Sequence, residues 1–179
     1  MKNDIEYVLF SEEQIQNRVK EMGAYITEKY AGTEPVFVGI LKGSFVFMAD
    51  LMRAVDLKCS IDFMAVSSYG SGTSTTGAVK INKDLSQDID GRPLVIVEDI
   101  LDSGVTLSYL LKYLENRNPS SVEIYTLFNK PERRKKEVPL AMHGFIIPDA
   151  FIVGYGLDYA EKYRNLPYVG ILKPEVYGG

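Results

Sequence analysis

The sequence predicts an α/β domain built on a mainly parallel sheet flanked by helices. Three observations carry this: apolar runs too short for helices recur along the chain, amphipathic stretches with helical spacing fall between them, and Gly, Pro or polar clusters separate the two. A length of 179 residues suits one domain spanning residues 1–179.

Ser11 followed by Gln14 makes a capping box, and Ile15, Val19, Met22 and Ile26 form one apolar stripe, so the chain is expected to open with an amphipathic helix. Pro35 leads into the apolar strand Val36 to Leu41, which stops before Gly43, and helical character returns from Ser44 to Val55. Cys59, Ile61, Phe63 and Ala65 alternate with Ser60 and Asp62, the pattern of a partly buried strand over Cys59 to Val66. The stretch Ser67 to Gly77 offers nothing to a core except Tyr69 and predicts a flexible loop, with Ser68 and Tyr69 at its start. Leu94 to Val97 reads as a fully apolar strand, followed by an acidic loop, EDILDSG, and a helix bearing Leu107, Leu110, Leu111 and Leu114. Val122 to Phe128, Phe151 to Val153 and Tyr168 to Leu172 are further strands.

Composition narrows the function classes. At 46% hydrophobic and 25% charged, the chain can bury roughly 70% of its unfolded surface, which excludes a disordered protein. A net charge of −4 and a pI near 5.1 have the wrong sign for bulk attraction to nucleic acid or anionic lipid. One cysteine, Cys59, and one histidine, His143, exclude an internal disulfide and a Cys/His zinc site. Cys59 reads as a small buried hydrophobe and His143 as structural. Without an apolar stretch of signal-peptide or membrane-spanning length, a soluble cytoplasmic protein is expected.

GTSTTGAV, from Gly72, begins like a phosphate-binding P-loop, but Ala78 and Val79 stand where Lys and Ser or Thr are required. The stronger signal is VIVEDILDSGVTL, Val95 to Leu107, where Glu98, Asp99 and Asp102 follow an apolar strand. Three carboxylates within five residues repel one another, which suits a site shared with water, hydroxyls or a cation and equally a solvated turn with a helix N-cap. Asp102-Ser103-Gly104-Val105-Thr106 then opens a helix whose N–H groups suit a phosphate. A sugar phosphate satisfies both chemistries.

Val95 to Thr106 resembles the 5-phosphoribosyl 1-diphosphate motif of type I phosphoribosyltransferases. LKGSFVFMADL from Leu41, SSYGSGTSTTG from Ser67, FNKPER from Phe128 and IPDAFIVGYGLDYAEKYRNLPYVGIL from Ile147 resemble the hypoxanthine-guanine branch of that family, so the likeness covers most of the chain. The resemblance implies the type I phosphoribosyltransferase fold, with a small hood made from the terminal segments. It implies that Glu98 and Asp99 lie near the ribose hydroxyls and magnesium, that Asp102 is a general base, and that Asp102, Ser103, Gly104, Val105 and Thr106 hold the 5-phosphate. Lys130 then donates to the purine 6-oxo group, Phe151 stacks on the base, and the Ile152 backbone reads the opposite edge. Asp158 corresponds to a magnesium-associated acid at the purine site, and Arg164 with the Leu41-Lys42-Gly43 turn to pyrophosphate contacts. In relatives the peptide bond before the Lys42 position can be cis. Val105 departs from relatives that carry Lys there, leaving the backbone phosphate contacts in place.

The implied activity is purine salvage: a 6-oxopurine and phosphoribosyl diphosphate give the nucleoside monophosphate and pyrophosphate, with the Ser67 to Gly77 loop closing over the centre. The implied partners are these small molecules and, from the family, further copies of the chain in a dimer or tetramer. Two rivals stand beside it: a xanthine-preferring transferase, and a regulator that senses phosphoribosyl diphosphate while binding nucleic acid. The second calls for an added DNA-binding domain or a basic face, which the length and the charge oppose.

Overall fold

The computed structural model describes residues 1–68 and 79–178. Its elements, in chain order, are β1 (Ile5–Phe10), α1 (Glu12–Lys29), β2 (Val36–Leu41), α2 (Phe45–Ala54), β3 (Ser60–Ser68), β4 (Val79–Lys83), β5 (Pro93–Leu101), α3 (Val105–Glu115), β6 (Ser121–Asn129), β7 (Leu140–Ile146), β8 (Ile152–Val153), β9 (Val169–Leu172) and α4 (Pro174–Tyr177). Six strands form the main sheet in the order β4-β3-β2-β5-β6-β7, all parallel except β4. The terminal segments build a separate antiparallel sheet, β1-β9-β8, which is the expected hood.

The α1 N-terminus carries the full reciprocal capping box between Ser11 and Gln14, and its stripe Ile15, Val19, Met22 and Ile26 is buried. Strand alternation sorts the two faces of the main sheet. Phe37, Val95, Val97, Tyr125 and Leu127 pack with α1 and α2, whereas Val36, Val38, Leu94, Ile96 and Ile124 pack with Leu107, Leu110 and Leu114 of α3. Among the described residues no helix is long and apolar enough to cross a membrane.

Three expectations need correction. A 3-10 turn, Lys2–Asp4, and then β1 precede α1; β1 pairs with β9 from the far end of the sequence, so no local pattern announces it. The strand from Leu94 does not stop at Val97. It runs on through Glu98, Asp99 and Ile100 to Leu101, because β6 continues to pair with it as far as Asn129. In β3 the alternation runs in the opposite phase: Asp62 (6% exposed) and Met64 are buried, whereas Ile61 is 51% exposed and Phe63 and Ala65 are only partly buried. The Asp62 carboxylate is tolerated inside because it accepts N–H groups from Ser86 (2.7 Å) and Gln87 (3.1 Å), with Lys83 Nζ at 3.4 Å. The charged segment KPERRKKE makes one short 3-10 turn, Pro131–Arg133, and then crosses the start of α3. Of the loop expected over Ser67 to Gly77, residues 67 and 68 end β3, and Tyr69 lies outside the described residues together with 70–78.

Burial pushes the Asp62 carboxyl up, but the backbone donors and Lys83 outweigh it and hold the group below its ordinary range. Asp62 thus pins the segment after β4 to the sheet. Replacing it by alanine leaves these N–H groups without acceptors, so D62A is expected to lose about 1–3 kcal/mol of unfolding free energy in urea at neutral pH. An unchanged midpoint would show that the carboxylate anchors nothing.

Candidate active site

The site begins where the sheet changes direction. From β2 the chain winds outward through β3, and from β5 it winds the opposite way through β6 and β7, so the topological switch point lies between β2 and β5. These two strands pair only from Val36↔Leu94 to Gly39↔Val97. Beyond that, Ile40 and Leu41 stay with β3 while Glu98, Ile100 and Leu101 stay with β6, and the sheet forks. One tine carries Leu41-Lys42-Gly43 and the other Glu98-Asp99.

The tines touch. A Cβ on Gly43 would fall inside the Asp99 carboxylate, so only glycine lets the turn lie against that acid. The Leu41–Lys42 peptide is cis. Asp99 is 7% exposed, and its carboxylate also accepts the Ile100 N–H at 2.7 Å. Burial, together with the neighbouring Asp99 charge, holds the Glu98 carboxyl well above its ordinary range, and burial raises Asp99 too.

A cleft of about 230 Å³ opens beside the fork, lined by Leu41, Glu98, Asp99, Asp102, Ser103, Gly104 and Thr106 among others. At its floor α3 begins with Gly104 in the left-handed region (φ 78°), no side-chain cap and no acid in its first turn. The Val105 N–H donates to Ser103 Oγ at 3.4 Å, and the N–H groups that follow it, with the positive end of the dipole, face an anion's position. Val105 is the first helical residue and contributes backbone. The strap after β6 holds this loop from outside: the Lys135 and Lys136 N–H groups donate to the Ser103 carbonyl (2.9 and 3.0 Å), and Arg134 Nε donates to the Asp102 carbonyl (3.0 Å). A Cβ on Gly104 would strike the Lys136 carbonyl.

A second cleft, about 380 Å³, is lined by Ile100, Asp102, Lys130, Arg133, Asp149, Ala150, Phe151, Ile152, Leu157, Asp158 and Tyr177. Lys130 is 6% exposed, so it has left the charge run; its Nζ donates to the Ala150 carbonyl at 3.0 Å and lies 3.8 Å from Asp149. Ile100 and Asp102 line both clefts. Among the described residues the buried Asp102 Oδ1 atom has no hydrogen-bond partner, an expensive state for a carboxylate oxygen unless a ligand supplies the donor.

Arg164 meets the second cleft through Asp158 and itself lines a separate cavity with Asp50 and Tyr155. It donates to the Gly156 carbonyl (2.8 Å) and pairs with Asp158 (2.9 Å) and Glu161 (3.3 Å), and its Nε is buried without a partner. Lys42 reaches the same Glu161 at 3.0 Å. Of the expected site residues, Leu41, Glu98, Asp99, Ser103, Gly104 and Thr106 line the first cleft, Lys130, Phe151, Ile152 and Asp158 the second, and Asp102 both, whereas Lys42, Gly43, Val105 and Arg164 adjoin them through Glu161, Asp99, Gly104 and Asp158; Ser68 ends β3. His143, in β7, offers its carbonyl to Arg18 at 2.9 Å, and burial pushes the half-buried Cys59 thiol up. Sequence reasoning missed Ile100, Arg134 and Tyr177. Ile100 lies inside a quoted motif and Arg134 directly follows another, but their contacts come from chain far away.

The family model for the phosphoribosyl transferase domain matches residues 10–160. The chain belongs to the phosphoribosyltransferase family. The hypoxanthine-guanine phosphoribosyltransferase of Bacillus subtilis is 55% identical over 177 residues, covering 99% of this chain and 98% of that one. A crystal structure of a hypoxanthine phosphoribosyltransferase from Staphylococcus aureus superposes with a TM-score of 0.97 at 53% identity, covering 100% of this chain and 97% of the other. A hypoxanthine-guanine phosphoribosyltransferase from Bacillus anthracis gives 0.89 at 45% identity, over 94% and 98%. These similarities place this phosphoribosyltransferase on the bacterial hypoxanthine-guanine branch.

The raised carboxyls have a measurable consequence. Because the folded state binds the Glu98 proton more tightly than the unfolded chain, ionisation costs stability increasingly as pH rises from the ordinary carboxylate range toward the raised folded value. In metal-free buffer, Glu98→Gln is therefore expected to be more stable than the native protein at neutral pH, with the gap closing by about pH 4. Denaturation midpoints at both pH values check this, and a gap independent of pH contradicts it.

Proposed function

We propose that this chain transfers the 5-phosphoribosyl group from phosphoribosyl diphosphate to hypoxanthine or guanine, releasing pyrophosphate and a purine nucleoside monophosphate. One observation carries the assignment of roles: Asp102, with an unpartnered buried oxygen, borders an anion-suited cleft on one side and a cleft containing an aromatic ring and a buried lysine on the other. The 5-phosphate fits the α3 N-terminus, where Ser103, Gly104, Val105 and Thr106 offer N–H and hydroxyl groups. The base fits the second cleft, against Phe151, with the Ile152 backbone at its edge.

Lys130 only donates hydrogen bonds, which suits a 6-oxo acceptor and opposes the 6-amino group of adenine. Lys42 and Arg164 supply positive charge for the departing pyrophosphate, and Arg164 is already aimed by Gly156 and Asp158. As the bond from ribose C1′ to the diphosphate oxygen breaks and the bond to the purine imidazole nitrogen forms, the Asp102 carboxylate takes the proton from the imidazole.

Magnesium fits the donor set in a limited way. Glu98 and Asp99 are adjacent carboxyls whose charged forms are penalised by burial, a pair that a hard cation relieves. Among the described residues no three acids, cysteines or histidines converge to hold a metal alone, and Asp158 is engaged by Arg164. Glu98 and Asp99 would thus hold the ion together with diphosphate oxygens and water, and Asp158 would act through Arg164. When bound, magnesium neutralises charge on the leaving group.

Asp102→Asn keeps the shape and removes the proton acceptor. Turnover with hypoxanthine and with guanine is expected to fall roughly 10²-fold or more, with phosphoribosyl diphosphate affinity largely kept. Initial rates and equilibrium binding test this, and full turnover in D102N would remove Asp102 from the chemistry. Xanthine competed against both bases in the same assay separates the xanthine-preferring reading.

A further inference from the structure

The last helical turn of the chain places an aromatic ring at the second cleft. Tyr177, at the end of α4, stacks on Phe151 with ring centroids 4.8 Å apart and planes 23° from parallel. Tyr159 meets Phe151 edge-on (5.5 Å, 88°) and Tyr177 at 6.4 Å and 66°, so three rings brace one another. The arrangement is anchored: the Lys173 N–H donates to the Asp4 carbonyl at 2.9 Å, and Val176 packs on the hood core of Ile5, Val153, Tyr163, Leu166 and Leu172.

Despite this bracing, Phe151 and Tyr177 stay 38% and 37% exposed, and both line the cleft that contains Lys130 and Asp102. Two large stacked rings left open to a cavity keep apolar area in water that a planar ligand would cover. The cleft remains about 380 Å³ with Tyr177 in place, within the size range of small-molecule sites, so the tyrosine does not fill it.

We propose that Tyr177 is a binding residue for the heterocyclic base, extending Phe151 into a two-ring wall and making the C-terminal turn part of the purine site. This rests on the transferase reading above, because the planar ligand is its base substrate. The wall acts on base affinity and not on the phosphoribosyl half, since Tyr177 lines the second cleft and is absent from the first.

The test is steady-state kinetics of Tyr177→Ala, Tyr177→Leu and Tyr177→Phe with hypoxanthine and guanine. Both ring-removing variants are expected to raise the KM for the base about 3- to 10-fold, the range of aromatic stacking. The KM for phosphoribosyl diphosphate should move less than twofold, and kcat should fall by less than the base KM rises. Y177F, which keeps the ring, should restore the native base KM, whereas a purely structural loss would lower thermal stability and affect both substrates. Y177L keeps apolar bulk at the end of α4 and guards against local unfolding as the cause. An unchanged base KM in Y177A and Y177L would overturn the proposal, and so would a lowered one, which would make the tyrosine an obstruction. A native chain with no turnover of either base would instead defeat the transferase reading and the proposal with it.

Discussion

The structure depends on a fork in its sheet. Parallel sheets bury both faces and offer ligands only the crevice beyond their carboxyl ends, and this sheet opens that crevice by ending the β2 to β5 ladder at Gly39↔Val97 while each strand continues with its outer neighbour. The fork keeps β5 extended through Glu98 and Asp99, so the two acids project from a rigid ladder instead of a mobile loop. The Lys42-Gly43 turn is then carried against Asp99 from the other tine. A contact that close survives because residue 43 has no side chain.

From that fork the rest of the site follows by short covalent distances. Three residues separate Asp99 from Ser103, which brings the carboxylate pair and the uncapped start of α3 into one cleft. The strap from Lys130 to Lys136 closes the loop from outside and sends Lys130 into the neighbouring cleft, so one segment positions both halves. The same crowding leaves Asp102 Oδ1 and Arg164 Nε without partners among the described residues and penalises the charged forms of Glu98 and Asp99. Each is costly in isolation, and each matches a charge or proton that a phosphorylated sugar, a cation or a purine would bring.

What was readable in the sequence is what local chemistry determines. The Ser11 capping box, the apolar run into Gly43 and the small residues opening α3 announce themselves within a few positions, and the acids of β5 gave the site its centre. What was not readable depends on distant chain. β1 carries Glu6 and exposed Tyr7 and Val8, and becomes a strand because β9 lies beside it. β7 contains His143 and Gly144 and shows neither a continuous nor an alternating pattern, yet it completes the sheet edge. Asp62 broke the expected alternation because acceptors for its neighbours' N–H groups were needed inside. Tyr177 belongs to a four-residue helix with no periodicity to read, and its partner Phe151 is far away in sequence.

The most direct measurement of the account is calorimetric binding of phosphoribosyl diphosphate with magnesium to Gly43→Ala. A methyl group there must push the turn and the Asp99 carboxylate apart, so the account predicts at least about a tenfold weaker Kd, or about 1.4 kcal/mol, in a protein that remains folded. Native affinity in G43A would contradict it, because the diphosphate site would then not depend on the two tines of the fork meeting.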